Sequence, residues 1–193
     1  DFKSIIENDN YYIDKSLLIR EVIKAQKQVL LISRPRRFGK TLNLGMLKYF
    51  FEKDRPENEN LFRNLNIWKC EKDILDKRGK YPVIYISFKD AKANTWEKVL
   101  NHLKIGIAGL HREHVYLLKQ DCLSDIERQE YVDITNFSAN EEMFENSIKK
   151  LSEYLYRYHK ERVVILVDEY DTPIQSGYKK FYDEVISFMR NLL

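Results

Sequence analysis

The sequence predicts an α/β domain built on a mainly parallel sheet with helices on both faces. Three observations lead there. Short apolar, β-branched runs recur at Val29 to Ile32, Val83 to Phe88 and Val163 to Val167; helical, charged segments separate them; and a glycine-lysine-threonine turn follows the first run. Continuous apolar runs of this length read as strands buried on both faces, the kind parallel sheets use, and right-handed crossovers then join them.

The elements follow in order. Asp14 or Ser16 caps a first helix through about Lys27, with Leu17, Leu18, Val22 and Ile23 on one face. After the Val29 to Ile32 strand, a second amphipathic helix begins at Thr41 and carries Leu42, Leu44, Met46, Leu47, Phe50 and Phe51. It ends before Pro56, because the residue preceding a proline is pushed out of helical geometry. The polar stretches Asp54 to Asn60 and Lys72 to Lys80 read as solvated connections on either side of the approach to the second strand. Further helices are expected from Thr95 to Leu118, from Ser138 or Asn140 to Tyr158, and from Phe181 to the end. Residues 1–193 read as one domain. Only three strands precede the terminal helical pattern FYDEVISFMRNLL, so a sequence truncated within its fold, after the third strand and its following helix, is the expectation.

Composition narrows the function classes. Apolar residues make up 44% and charged residues 33% of the chain, enough for a packed core and too apolar for a disordered tail. A formal net charge of +3 with mixed signs neither requires nor excludes a nucleic-acid partner. No run approaches the ~18 apolar residues of a membrane span and the first ten residues lack a secretory pattern, so a soluble, cytoplasmic protein is expected. Cys70 and Cys122 are far apart with no C-x-x-C pairing, which reads as two reduced, mostly buried thiols.

The chemistry concentrates in two places. Gly39, Lys40 and Thr41 stand between an apolar run and a helix, where phosphate binding needs them. A flexible glycine lets backbone N–H groups curl around oxygens, the ammonium pairs with β and γ phosphates, and the hydroxyl ligates Mg²⁺. Arg34 stands where the general G-x-x-x-x-G-K-S/T pattern has its first glycine. Far downstream, the third run ends in Asp168, Glu169, Tyr170 and Asp171, at the strand end where α/β folds place ligand chemistry. There Asp168 suits a metal shell, and Glu169 suits the orientation and deprotonation of a water.

Four blocks together resemble a known family: YYIDKSLLI from Tyr11, VLLISRPRRFGKTLNLGMLKYFF from Val29, YPVIYISFKD from Tyr81 and VVILVDEYDTPI from Val163. They are similar to the AAA-ATPase-like family of P-loop proteins. The resemblance implies a P-loop NTPase-like three-layer sandwich with an extra strand between the phosphate-loop and acidic strands, and ATP and Mg²⁺ as cofactors. It gives Lys40 and Thr41 the Walker A roles, within a binding loop of Arg36, Arg37, Phe38, Gly39, Lys40, Thr41 and Leu42. Asp168 takes the Walker B metal role beside Thr41, and Glu169 the catalytic one with Lys40. Arg34 fits the family's own RPRRFGKT form. Relatives often carry a PD-(D/E)XK-like nuclease domain after the ATPase part, which implies a C-terminal effector. The arginine finger falls outside these blocks, and such a group is worth ~10³ or more in rate.

Several residues keep two readings at this stage. Arg34, Arg36 and Arg37 can reach phosphates or pair with Asp168 and Asp171. Tyr11 and Tyr12 suit core packing or adenine stacking, and His111 and His114 an exposed helix face or a metal. Lys149, Lys150, Lys179 and Lys180 read as solvated faces, against a nucleic-acid track. Three functions therefore stand open: an ATPase, a nucleotide-dependent switch or scaffold with little turnover, and a nucleic-acid-binding module. The oligomeric state is unspecified.

Overall fold

The computed structural model describes residues 1–32 and 38–193. The chain packs as two compact units, Asp1–Val83 and Ile84–Leu193, the boundary falling within a strand. The first unit holds α1 (Phe2–Glu7), α2 (Leu17–Ala25), α3 (Lys40–Phe51) and α4 (Lys72–Leu75), with 3₁₀ turns at Pro56–Leu61 and Asn66–Lys69. Strand β1 (Val83–Ser87) follows. The second unit continues with α5 (Trp96–Glu113), a 3₁₀ turn at Val115–Lys119, α6 (Asp125–Thr135), α7 (Glu141–Glu145) and α8 (Ser147–His159). Strand β2 (Val164–Asp168), α9 (Asp171–Gly177) and α10 (Tyr182–Leu192) complete it.

In the first unit α3 is the organiser, because Met46, Leu47, Phe50 and Phe51 recur at helical spacing and are all buried. Phe2 stacks on Phe62 at 5.5 Å between ring centroids, and Phe50 meets Phe62 edge-on at 5.4 Å. A polar clamp sets the entry to α2. Asp14 accepts the amides of Ser16 (2.8 Å) and Asn66 (2.7 Å), and the Ser16 hydroxyl oxygen accepts the amide of Ile67 (2.9 Å). Burial pushes the Asp14 carboxyl up, but those donors outweigh it and hold it below its ordinary value. Both residues named as possible caps of α2 are thus spent on tying α2 to the turn at Asn66–Lys69.

In the second unit β1 and β2 form a two-stranded parallel sheet. One continuous core joins Ile84 and Ile86 of β1 to Leu103 and Ile107 of α5, Leu151 and Leu155 of α8, and Val185 and Phe188 of α10. Helix α6 begins with a full capping box: the Glu127 amide donates to Ser124 Oγ (3.3 Å) and the Ser124 amide to Glu127 Oε2 (2.8 Å). Arg157 of α8 also grips Glu127, its Nη2 donating to Oε1 at 2.5 Å. Ser124→Ala is therefore expected to destabilise the protein by about 1 kcal/mol, read as a melting temperature a few degrees lower.

The structure corrects several expectations. Val29 to Ile32 is not a strand: it enters no ladder among the described residues, and Val29 and Leu31 are 84% and 67% exposed. An apolar run signals a tendency to be buried, but a strand also needs a neighbouring edge for its N–H and C=O groups, which the run itself does not specify. β2 is not buried on both faces, since Ile165 points outward while Leu166 and Asp168 are inside. The expected solvated connections also pack. Asn58 of the first stretch and Ile74 of the second are buried, and for Ile74 a single apolar residue in a polar stretch suffices to anchor a short turn. The predicted helix from Thr95 ends at Glu113, and the one to Tyr158 is broken at Asn146 into α7 and α8. Cys70 and Cys122 are free thiols and only half-buried.

His111 overturns the exposed-face reading. It is 1% exposed, because Leu103, Ile107 and His111 share one face of α5 at i, i+4 spacing. Burial lowers its pKa to about 4, against the partial support of a bond between Nδ1 and the Ile107 carbonyl (3.0 Å). The folded pKa lies below the ordinary 6.5, so the unfolded chain binds the proton more readily. The resulting stability is full above about pH 6.5 and is lost as pH falls toward 4, roughly 3 kcal/mol in all. His111→Gln is expected to flatten stability against pH across that window in denaturant titrations, relative to wild type.

Candidate functional site

The phosphate-type turn is built from the backbone upward. Gly39 sits at φ +75°, the left-handed region where residues bearing a Cβ are strained, and it is the N-cap of α3. No atom lies within 4 Å of where its Cβ would be, so the dihedral and not crowding is what requires glycine. Lys40 is the first residue of the twelve-residue α3, and Thr41 the second. The Asn43 amide closes the first turn onto the Gly39 carbonyl at 2.9 Å. Lys40 and Leu42 are half-buried, whereas Phe38 and Thr41 are exposed. The positive end of α3 and the Lys40 ammonium give this turn the charge an anion needs. Arg34, Arg36 and Arg37 lie outside the described residues.

The acidic half is more tightly made. Side chains alternate along β2, so Leu166 and Asp168 share its inner face, and Asp168 is 3% exposed. The Phe88 amide donates to the Asp168 carbonyl at 3.0 Å, which sets the carboxyl ends of both strands level. From the neighbouring strand, Tyr85 Oη donates to Asp168 Oδ2 at 3.5 Å. Burial first, then the charges of Asp168 and Glu169, push the Tyr85 phenol up to about 12, so it is a proton donor at neutral pH. Glu169 itself sits at φ +51°, uncommon for a residue with a side chain and costing about 1 kcal/mol. Thr172 holds it there twice: its amide donates to the Glu169 carbonyl (3.0 Å) and its hydroxyl to Glu169 Oε2 (3.1 Å). Backbone strain of this kind, held by its surroundings, clusters at working sites.

The structure therefore brings together Asp168 and Glu169 with Tyr85 and Thr172, and separately assembles Gly39, Lys40 and Thr41 at the start of α3. The turn belongs to the first unit and the acid pair to the second. Tyr85 and Thr172 were not singled out in the sequence. The signal for Tyr85 was a lone hydroxyl in the apolar run VIYISF, and for Thr172 its place three residues after Glu169, the spacing of a side-chain-to-backbone turn. Asn43, three residues beyond Lys40, is 3% exposed and its Nδ2 has no hydrogen-bond partner among the described residues.

The weaker candidates separate. Tyr12 packs edge-on to Phe2 and donates to the Met46 sulfur at 3.4 Å, whereas Tyr11 is 91% exposed, so core packing holds for Tyr12 alone. His114 Nδ1 and His159 Nε2 both meet the Tyr116 hydroxyl, at 3.4 and 2.9 Å, in a local polar cluster. Lys150 pairs with Glu130, Lys179 lies over the Tyr178 ring and Lys180 reaches Asn94. Among the described residues no three His, Cys, Asp or Glu side chains form a metal-binding group, and no helix is long and apolar enough to cross a membrane.

A small parallel sheet of two strands among many helices defines the class of protein: a mixed α/β chain. The family model described as "Predicted AAA-ATPase" matches residues 1–193, and the chain belongs to that family. It is 32% identical over 183 residues to a protein of Azotobacter chroococcum mcd 1 described as "Uncharacterized protein in vnfD 5'region". That alignment covers 90% of this chain and 28% of the relative, so the chain spans under a third of that protein's length. No solved structure matches it.

Proposed function

We propose that this chain binds ATP through the start of α3 and hydrolyses it with Mg²⁺ through the acid pair. The observation that carries the reading is Gly39 in the left-handed conformation delivering Lys40 and Thr41 as the first two residues of a long helix. Each proposed donor, taken by itself, has the chemistry the cation prefers. The Thr41 hydroxyl and the Asp168 carboxylate are hard oxygens, and Mg²⁺ is commonly held by one or two such groups plus phosphates and water. A cation that arrives with the nucleotide needs no cage of three or more protein ligands, and the described residues contain none.

In this reading Lys40 pairs with phosphate oxygens and the first N–H groups of α3 face the same charge. Arg36, Arg37, Phe38, Gly39 and Leu42 complete the binding loop. A cation-ligand role is assigned to the Thr41 hydroxyl and, separately, to the Asp168 carboxylate. Glu169 orients a water and takes its proton. Bound Mg·ATP supplies the phosphoanhydride that is cleaved and the cation charge that offsets the phosphates.

A second reading makes the chain a nucleotide-dependent switch with little turnover, coupled to an effector such as a nuclease domain. The Thr172–Glu169 bond favours it, since a carboxylate already engaged by a hydroxyl is a poorer base. The test is calorimetric titration of Mg·ATP into the protein, followed by steady-state phosphate release. Tight binding with multiple turnovers supports the ATPase. Tight binding with a single slow turnover and retained ADP supports the switch, and absence of binding overturns both.

A further inference from the structure

We infer that Tyr85 is a positioning residue for Asp168, fixing its carboxylate so that one oxygen is presented to a divalent cation. The inference rests on the metal role proposed for Asp168. A carboxylate at the end of a strand can rotate about its last bond, and a cation site needs one rotamer to be held before binding. Inside the second unit the hold comes from the adjacent strand. Tyr85 stands in the middle of β1, level enough with the end of β2 for its hydroxyl to reach Asp168 Oδ2 at 3.5 Å. The parallel register that permits this is fixed by the Phe88–Asp168 backbone bond at 3.0 Å. Asp168 is almost wholly buried, so water cannot substitute for the phenol as it would at a surface.

Strand propensity alone does not call for tyrosine over phenylalanine at this position. Both rings favour strands, and neighbours of Tyr85 in the run are apolar. The hydroxyl, half-buried and directed at the acid, is what tyrosine adds there over phenylalanine. With Oδ2 engaged, a cation needs only the other oxygen. On the partner acid, Thr172 does the corresponding service for Glu169 from its own helix, so each carboxylate of the pair is held by a separate hydroxyl.

The experiment is a Mg²⁺ titration of ATP binding, followed by calorimetry on the whole chain, in wild type, Tyr85→Phe, Asp168→Asn and the double variant. Tyr85→Phe keeps the ring and so the packing, which a melting curve checks. It is expected to raise the Mg²⁺ midpoint by about tenfold, the loss of one hydrogen bond to a charged group. In the Asp168→Asn background the same change is expected to add almost nothing, because Tyr85 acts through that carboxylate. An unchanged midpoint in Tyr85→Phe, with wild type binding normally, overturns the assignment of Tyr85 and leaves the nucleotide reading standing. Equal shifts in both backgrounds overturn it as well. Wild type that binds ATP with no dependence on Mg²⁺ overturns it together with the metal role of Asp168.

Discussion

Lys40→Ala is expected to abolish measurable Mg·ATP binding while leaving the fold intact. The ammonium is the one full positive charge among the described residues of the turn, and it sits at the positive end of α3. Removing it takes away charge-assisted bonds to phosphate and leaves phosphate charge uncompensated, about 3 kcal/mol or more, which is over a hundredfold in Kd. Stability should barely move, because alanine is the best helix former and position 40 begins the helix. A parallel melting curve therefore separates lost binding from lost structure. Lys40→Arg is not expected to rescue, since a planar fork replaces a compact point charge. Binding of equal strength in wild type and Lys40→Ala would remove the start of α3 from the nucleotide site.

How much of this was legible beforehand depends on which physical signal each element carries. α3 was readable because its apolar residues recur at helical spacing from Leu42 to Phe51, and its start was marked by glycine. β1 and β2 were readable because both runs are short, apolar and carry β-branched residues. Val29 to Ile32 has the same composition and is no strand among the described residues, because pairing depends on a partner edge and not on the run. The acid pair was legible as a position, at the end of a strand. Its supports were not: Tyr85 is more than eighty residues from Asp168 in sequence, and only the register of two parallel strands brings them together. His111 shows the opposite failure. Its i, i+4 relation to Leu103 and Ile107 was visible, yet a titratable side chain argues against burial until the face it shares is counted.

Glu169→Gln is expected to keep Mg·ATP binding and lose turnover by about 10²- to 10⁴-fold, the usual contribution of a general base. The substitution is close to isosteric. Glutamine meets the same left-handed backbone as glutamate, and its side-chain oxygen still accepts from the Thr172 hydroxyl, so the turn into α9 should survive. What disappears is the capacity to take a proton from water. The binding half of the prediction follows because Lys40 and Thr41 are untouched and Asp168 keeps its tyrosine partner. Single-turnover phosphate release, set beside a calorimetric Kd, reads the two halves separately. Turnover equal to wild type would remove Glu169 from the chemistry and turn its strained conformation into a purely structural turn. Binding lost along with turnover would instead place Glu169 in the cation site beside Asp168. A wild-type rate already as low as that of Glu169→Gln, with ADP retained, would favour the switch, with Thr172 holding the glutamate out of reaction.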